Sequence, residues 1–256
     1  MNLTFDTRNV AVFPVVLALG LIAVPAGAQQ TTATPTGTYV FSESGPALTA
    51  LAQLKFANDG TITGQELLRT SGPADTYVLQ GTYTVNATQD ITLSLNAASV
   101  DATDAAGNPL AFSENVRLVG AVNGEYASLR TDPGLYATGT LTPASTAAVM
   151  KGNFLLTGKA IDPAGVSVDV VTLDGAGNVS GHELYNNFGI TQDLALTGTY
   201  ASQPSGFQTL TISGTATDSD GNTIATSETY AFLPTAKDIQ MMRVDQGPAG
   251  IFALSQ

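Results

Sequence analysis

Charged side chains are scarce in this sequence, and three kinds of them recur at matching positions in its two halves. Only 12% of the 256 residues are charged. The recurring charges are Glu66 and Glu183, Arg130 and Arg243, and Asp132 and Asp245. Carboxylates beside an arginine at the mouth of each half could form a glycosidase-like or anion-binding site. They could equally form an ion-pair network between strands, or a turn bonded by the aspartates. We favour the structural interpretation, because paired carboxylates are common on any protein surface.

The single histidine, His182, is the only residue through which a Ser-His-Asp triad or a histidine metal site could be built. Its counterpart in the first half is Gln65, which cannot replace an imidazole in either role. A solvated or capping histidine is therefore the expectation, and no catalytic residue or metal ligand is assigned.

The segment 218–222, Asp-Ser-Asp-Gly-Asn, is similar to the opening of a calcium loop. An EF-hand needs further oxygen ligands and a distal glutamate at fixed spacing, which this sequence lacks. A hairpin turn explains the segment equally well. The sequence contains no phosphate loop, dinucleotide fingerprint or nucleophile elbow, so no cofactor is predicted.

The two halves are copies of one unit. Residues 59–67, DGTITGQEL, match residues 176–184, AGNVSGHEL, and LQGTY at 79–83 matches LTGTY at 196–200. Further matches continue in the same order to the ends of both halves, which indicates an internal duplication. The predicted units are 37–141 and 152–256, joined by a linker at 142–151. A second linker, 29–36, precedes the first unit and is predicted to be disordered.

The apolar residues of each unit alternate with polar ones, which predicts strands rather than helices. Eight strands are expected per unit, in the first at 38–44, 48–57, 61–70, 75–86, 90–102, 109–122, 125–131 and 135–141. Short connections favour an antiparallel meander that closes into a barrel, which removes the exposed sheet edges. The fold class is therefore all-β, with two tandem eight-stranded barrels. The alternatives are flattened sandwiches or one sixteen-stranded outer-membrane barrel. The few aromatic residues and the charges on both faces of 61–70 disfavour the outer-membrane barrel.

One face of these strands is predicted to point inward and could line a pocket for a small apolar ligand. Its members are Tyr77, Leu79, Tyr83, Leu93, Leu95, Leu194, Leu196, Tyr200, Leu210 and Ile212.

The first 28 residues carry the pattern of a secretory signal peptide. An apolar run at 10–24 precedes Ala26-Gly27-Ala28, a small-x-small cleavage site. Cleavage near Ala28 would place the mature chain outside the cell, in the periplasm or at the cell surface. No later segment reaches the length of a membrane-spanning helix.

The composition limits the partners of the chain. The sequence has no cysteine, and its net charge is −12. Few basic residues argue against nucleic acid and against anionic membrane surfaces. A small apolar ligand or a surface partner remains possible, and the oligomeric state is left open.

The turn and strand motifs resemble repeats of secreted proteins from environmental, particularly acidobacterial, bacteria. They are Gly37-Thr38-Tyr39, the hairpin 59–64, Gly81-Thr82-Tyr83 and Asp132, with 176–181, Gly198-Thr199-Tyr200 and Asp245 in the second copy. The resemblance implies a duplicated β-barrel with no assigned activity. The unit is also distantly similar to lipocalin-like and avidin-like barrels. The sequence has no Trp, so it lacks the lipocalin G-x-W motif, and no ligand residue carries over.

These observations predict a secreted or cell-surface, non-catalytic β-barrel protein that binds a small apolar ligand or has a structural or surface role. The alternative is a hydrolase of extracellular glycans that uses its Glu and Asp pairs.

Overall fold

A computed structural model describes most of the chain after residue 33. The described residues are 34–70, 72–86, 90–122, 124–132, 135–145, 150–160, 166–187, 190–202, 206–217, 223–247 and 249–256. The predicted signal peptide, the start of the linker 29–36 and the segment 218–222 lie outside them.

Sixteen strands follow one another along the described chain. In the first half they are β1 (Gly37–Ser44), β2 (Thr49–Phe56), β3 (Thr61–Arg69), β4 (Asp75–Val85), β5 (Ile91–Thr103), β6 (Pro109–Val122), β7 (Glu125–Asp132) and β8 (Leu135–Pro143). In the second half they are β9 (Lys151–Ala160), β10 (Val166–Asp174), β11 (Asn178–Asn187), β12 (Ile190–Ser202), β13 (Gln208–Thr217), β14 (Thr223–Pro234), β15 (Ile239–Arg243) and β16 (Gly250–Ser255). In the first half the strand limits predicted from the apolar alternation agree with these to within two residues.

Each half closes into an antiparallel eight-stranded barrel. In barrel 1 the first strand pairs with the last, with Phe41 opposite Leu141. In barrel 2 the same closure places Leu156 opposite Leu254. The predicted pair of tandem barrels is confirmed, and neither the sandwich nor the single sixteen-stranded barrel is formed. Within the described residues, no helix has the length and apolar character needed to span a bilayer.

Alternating apolar side chains fill both barrels. In barrel 1 the ring of Phe56 packs edge-on against the rings of Tyr39 and Tyr83, with 5.3 Å between centroids in both pairs. In barrel 2 the rings of Tyr230 and Phe252 make a similar contact. Edge-to-face packing of this kind adds to the stability that burial of the rings already provides.

The repeated Gly-Thr-Tyr motif is explained by the close approach of neighbouring strands. A Cβ atom on Gly81 would lie 2.1 Å from the carbonyl oxygen of Ser94 on the next strand, so only glycine allows this approach. Gly198 is equally close to Thr211. The amide of Tyr83 then donates to the carbonyl of Gly60 at 2.9 Å, which fixes the preceding hairpin turn.

The two barrels pack side by side through outward-facing residues. Val40, Leu51 and Leu67 of barrel 1 form one buried cluster with Phe207, Ala231, Leu233 and Met242 of barrel 2. The guanidinium of Arg69 donates to the carbonyl oxygens of Arg243 and Gly247. After β8 the chain stays bound to both barrels, because Ala144 donates to the Thr38 carbonyl and bridges to Thr235.

Candidate functional site

The inward-facing apolar set predicted from the alternation lies inside the barrels. Leu79, Leu93 and Leu95 are at most 1% exposed, and Leu194, Leu196, Leu210 and Ile212 are also buried. Tyr77 and Tyr83 are buried as well, whereas Tyr200 is partly exposed. A side chain with no accessible surface has no water-sized space beside it, so these leucines pack against protein atoms.

Four charged side chains meet inside barrel 1, and we call them the buried cluster: Glu43, Glu66, Glu114 and Arg130. They come from β1, β3, β6 and β7, and each is at most 1% exposed. Arg130 Nε donates to Glu43 Oε2 at 2.7 Å, and Nη2 donates to Glu66 Oε1 at 3.3 Å. Nη1 lies 2.9 Å from Glu114 Oε1, without the alignment of a hydrogen bond. One guanidinium therefore joins four strands across the interior.

The buried cluster holds more acid than base. Three carboxyl groups surround one guanidinium, so full ionisation would leave two uncompensated negative charges in a solvent-excluded space. Among the described residues, the oxygens Glu43 Oε1, Glu66 Oε2 and Glu114 Oε2 also have no hydrogen-bond partner of good geometry. Unpaired buried charge is strongly unfavourable, and such groups retain their protons instead.

The pKa values follow from this environment. Burial raises the pKa of Glu43 to about 7, although the positive charge of Arg130 opposes that rise. Burial, and then the charge of Glu114, raise the pKa of Glu66 well above its usual range. Burial alone would lower the pKa of Arg130, but the carboxylates of Glu66, Glu114 and Glu43 outweigh it and raise that pKa. The cluster is thus a permanent cation beside two carboxyl groups, those of Glu43 and Glu66, whose pKa values are raised.

The matching arginine of barrel 2 belongs to a different arrangement, the open cluster, formed by Glu228, Tyr230, Arg243 and Asp245. Arg243 Nη1 donates to Glu228 Oε1 and Nε donates to Asp245 Oδ1, both at 2.6 Å. The hydroxyl of Tyr230 donates to Glu228. The charged side chains here are 15–34% exposed, so water screens them.

The difference between the clusters follows from substitutions at equivalent strand positions. In the duplicated register, Gly158 occupies the position of Glu43, and Tyr230 occupies that of Val116. Without a carboxylate on the first strand, Arg243 pairs with its own neighbour Asp245. Glu183 keeps the position of Glu66, and there it lies opposite the buried Asp169 in the β10–β11 ladder.

The recurring aspartates bond the backbone of the preceding strand. The carboxylate of Asp132 accepts from the amide of Asn115, and that of Asp245 accepts from the amide of Thr229. The two amides are equivalent in the two copies. Asp132 therefore does not join the glutamates around Arg130, and the Glu–Asp–Arg constellation that the functional alternative requires is divided in barrel 1.

His182 lies on the outside of barrel 2. Its side chain is 71% exposed, and Nδ1 is 3.2 Å from Asp193 Oδ1. This is the solvated position that its match with Gln65 predicts. In the described part of the chain, no group of three or more His, Cys, Asp or Glu residues is placed to hold a metal ion.

Two members of the buried cluster, Glu43 and Glu114, were not among the predicted site residues. Glu114 carries a usable signal, since it matches Glu228 in the second copy. The position of Glu43 is occupied by Gly158 in the second copy, so Glu43 has no such match. Its signal is local, because it continues the inward series Tyr39, Phe41 on β1, where a charge is unexpected.

No protein-family model matches this sequence, and no curated protein matches it.

Proposed function

We propose that the double barrel is a non-catalytic structural module of a secreted or cell-surface protein. The observation that carries this proposal is the burial of its charged centre. Arg130 and its three glutamates are at most 1% exposed, and the arginine forms ion pairs with all three across the barrel. Such a network holds strands in register and leaves no access for a substrate.

The glycosidase alternative fits this geometry poorly. Glycoside hydrolysis needs two carboxyl groups that flank the scissile bond, with room for sugar and water between them. In barrel 1 the space between Glu43 and Glu66 is occupied by the Arg130 guanidinium, which pairs with both. In barrel 2 Arg243 stands in the same relation to Glu228 and Asp245.

A barrel that carries an apolar ligand would need an internal space lined by its apolar side chains. The central leucines of barrel 1 have almost no accessible surface. Ring pairs such as Tyr77 with Phe112, 5.0 Å between centroids, fill the interior with protein. Dense packing of this kind favours a rigid module whose partners bind outside.

Native mass spectrometry of the protein purified from its own source tests the proposal. We expect the mass of the polypeptide alone, before and after a gentle organic extraction. A stoichiometric small molecule released by extraction would contradict it. Hydrolysis of a panel of extracellular polysaccharides, abolished by Glu66→Gln in a variant with unchanged circular dichroism, would contradict it as well.

A further inference from the structure

The outer face through which barrel 1 contacts barrel 2 is present a second time in the molecule. In barrel 1 this docking face consists of Val40, Leu51 and Leu67 on β1, β2 and β3. They are 1%, 0% and 9% exposed, because they are covered by Phe207, Ala231, Leu233 and Met242 of barrel 2.

Strand pairing identifies the equivalent positions in barrel 2. Ala52 lies opposite Glu66 and Phe41 in barrel 1, and Asp169 lies opposite Glu183 and Leu156 in barrel 2. Because Glu66 matches Glu183 in the duplication, Ala52 and Asp169 occupy equivalent positions. With that register, the docking-face positions correspond to Leu155, Val168 and Leu184. All three remain aliphatic, and Val170 takes the position of Gln53.

In barrel 2 this second docking face is uncovered. Leu155, Val168, Val170 and Leu184 are 39%, 51%, 50% and 53% exposed. They are contiguous, since Leu155 lies opposite Val170 and Val168 lies opposite Leu184. A contiguous apolar patch on the outer wall of a barrel, where polar residues would be expected, marks an interaction site.

The receiving face of barrel 2 also has a counterpart, on β5–β7 of barrel 1. Leu233 and Met242 correspond to Val119 and Leu129, which are 37% and 40% exposed. Ala231 corresponds to Arg117 and Phe207 corresponds to Asp90, and these two charged residues form an ion pair in which Arg117 is 56% exposed.

The charges beside the two free faces are complementary. On barrel 2, Asp193 lies opposite Leu184 at the edge of the second docking face and is 67% exposed. On barrel 1, Arg117 takes the place of Ala231 within the receiving face, directly opposite Leu129. An exposed carboxylate at the edge of one apolar patch and an exposed guanidinium within the other favour one relative orientation of the partners.

We infer that the partner of the second docking face is another copy of this chain. Its β9–β11 face binds the β5–β7 face of barrel 1 in the next molecule, which repeats the contact already made inside each chain. The contact joins unlike faces, so it continues from chain to chain rather than closing a symmetric pair. This inference deepens the proposed structural role and rests on it.

Two face variants of the full mature chain test the inference in sedimentation velocity. Val168→Lys blocks the second docking face and Leu129→Lys blocks the receiving face, while Tyr136→Ser changes an equally exposed residue on neither face. We expect wild type and Tyr136→Ser to form species larger than a dimer as concentration rises. Each lysine variant alone should remain monomeric, with self-association at least about tenfold weaker.

Mixing the two lysine variants is the decisive step. Each retains one intact face, so the equimolar mixture should form a one-to-one dimer and nothing larger. A monomeric wild type at every concentration would overturn the inference. Self-association of Leu129→Lys alone would also overturn it, since it would mean that docking faces pair with each other.

Urea unfolding of each variant, with wild-type midpoints expected, separates a lost contact from a lost fold. The experiment also separates a failure of this inference from a failure of the proposed function. A ligand found by native mass spectrometry would refute the solvent-excluded interior and leave the assembly result standing. A protein that is ligand-free and stays monomeric would refute the assembly and leave the solvent-excluded interior standing.

Discussion

The equivalent arginines of the two barrels, Arg130 and Arg243, have different surroundings. Arg130 is fully buried and forms ion pairs with carboxyl groups from three other strands, whereas Arg243 is partly exposed and pairs with Glu228 and its near neighbour Asp245. A buried charge network depends on every member, because the medium around it cannot compensate a loss. In a partly exposed network, water can solvate the charges that remain when one member is removed. The duplication therefore preserved the residue while its energetic role diverged.

The outer faces differ in the same way. The face that carries Leu51 is covered by the neighbouring barrel, and the equivalent face with Val168 is open. Equivalent residues of the two barrels therefore share a strand position and differ in burial, so substitutions at both positions measure the effect of burial.

The largest contrast is expected between the two arginines. Arg130→Met should lower the free energy of unfolding by about 3–5 kcal/mol, because three buried carboxyl groups lose their common partner. Arg243→Met should lower it by only about 1 kcal/mol, since its partners are partly solvated. Urea titration monitored by tyrosine fluorescence at pH 7 measures both. Equal losses would refute the distinction between the buried and open clusters.

The pH dependence of stability should come largely from barrel 1. Glu43 has a pKa of about 7 when folded, above its ordinary 4.5, so the folded chain binds more protons between these values. Its contribution is fully present below pH 4.5 and is lost as the pH rises through 7. The loss is about 3 kcal/mol for this group alone, from its pKa difference.

Glu43→Gln mimics the protonated acid and tests this dependence. The variant should match wild type near pH 4.5, lose less stability as the pH rises, and be the more stable protein at pH 8. Asp59→Asn, a change at an exposed turn carboxylate whose pKa lies below its ordinary 3.8 because Thr61 donates hydrogen bonds to it, should retain the wild-type slope between pH 4.5 and 7. A Glu43→Gln profile parallel to that of wild type would contradict the proton-binding role of the buried cluster.

The smallest of the expected contrasts concerns the outer faces. Leu51→Ala should lower the free energy of unfolding by about 2–3 kcal/mol, because it leaves a cavity between the barrels. Val168→Ala should change it by less than about 0.5 kcal/mol in dilute solution, where that face is in water. Thermal and urea unfolding at low concentration measure both effects. A large loss from Val168→Ala under these conditions would show that its face is covered within one chain.

Strand-level features were predictable because they depend on local periodicity. Alternation on residues such as Leu79 and Leu93 defined which face is buried, and the duplication defined where one barrel ends. Chemistry across the barrel was only partly predictable. Glu66 and Arg130 were found as a matched pair, but Glu43 was not, since the duplication places Gly158 at its position.

The contact between barrels was not predictable from periodicity. Val40 and Leu51 lie on strands with apolar residues on both faces, such as TALAQLKF in β2. A strand with two apolar faces indicates burial on both sides, yet it does not identify what covers the outer one. That information depends on the three-dimensional placement of Phe207 and Met242, far along the chain.

Barrel closure has a consequence for how the protein responds to mechanical force. In barrel 2 the closing strands are antiparallel, so the start of β9 and the end of β16 lie at the same end of the barrel. Tension applied to these two points would load the ladder one hydrogen bond at a time, as in unzipping, rather than shear all its bonds together. Each barrel that opened this way would release roughly 350 Å of extended chain at about 3.4 Å per residue. A densely packed module can therefore yield at low force and lengthen the molecule without breaking it.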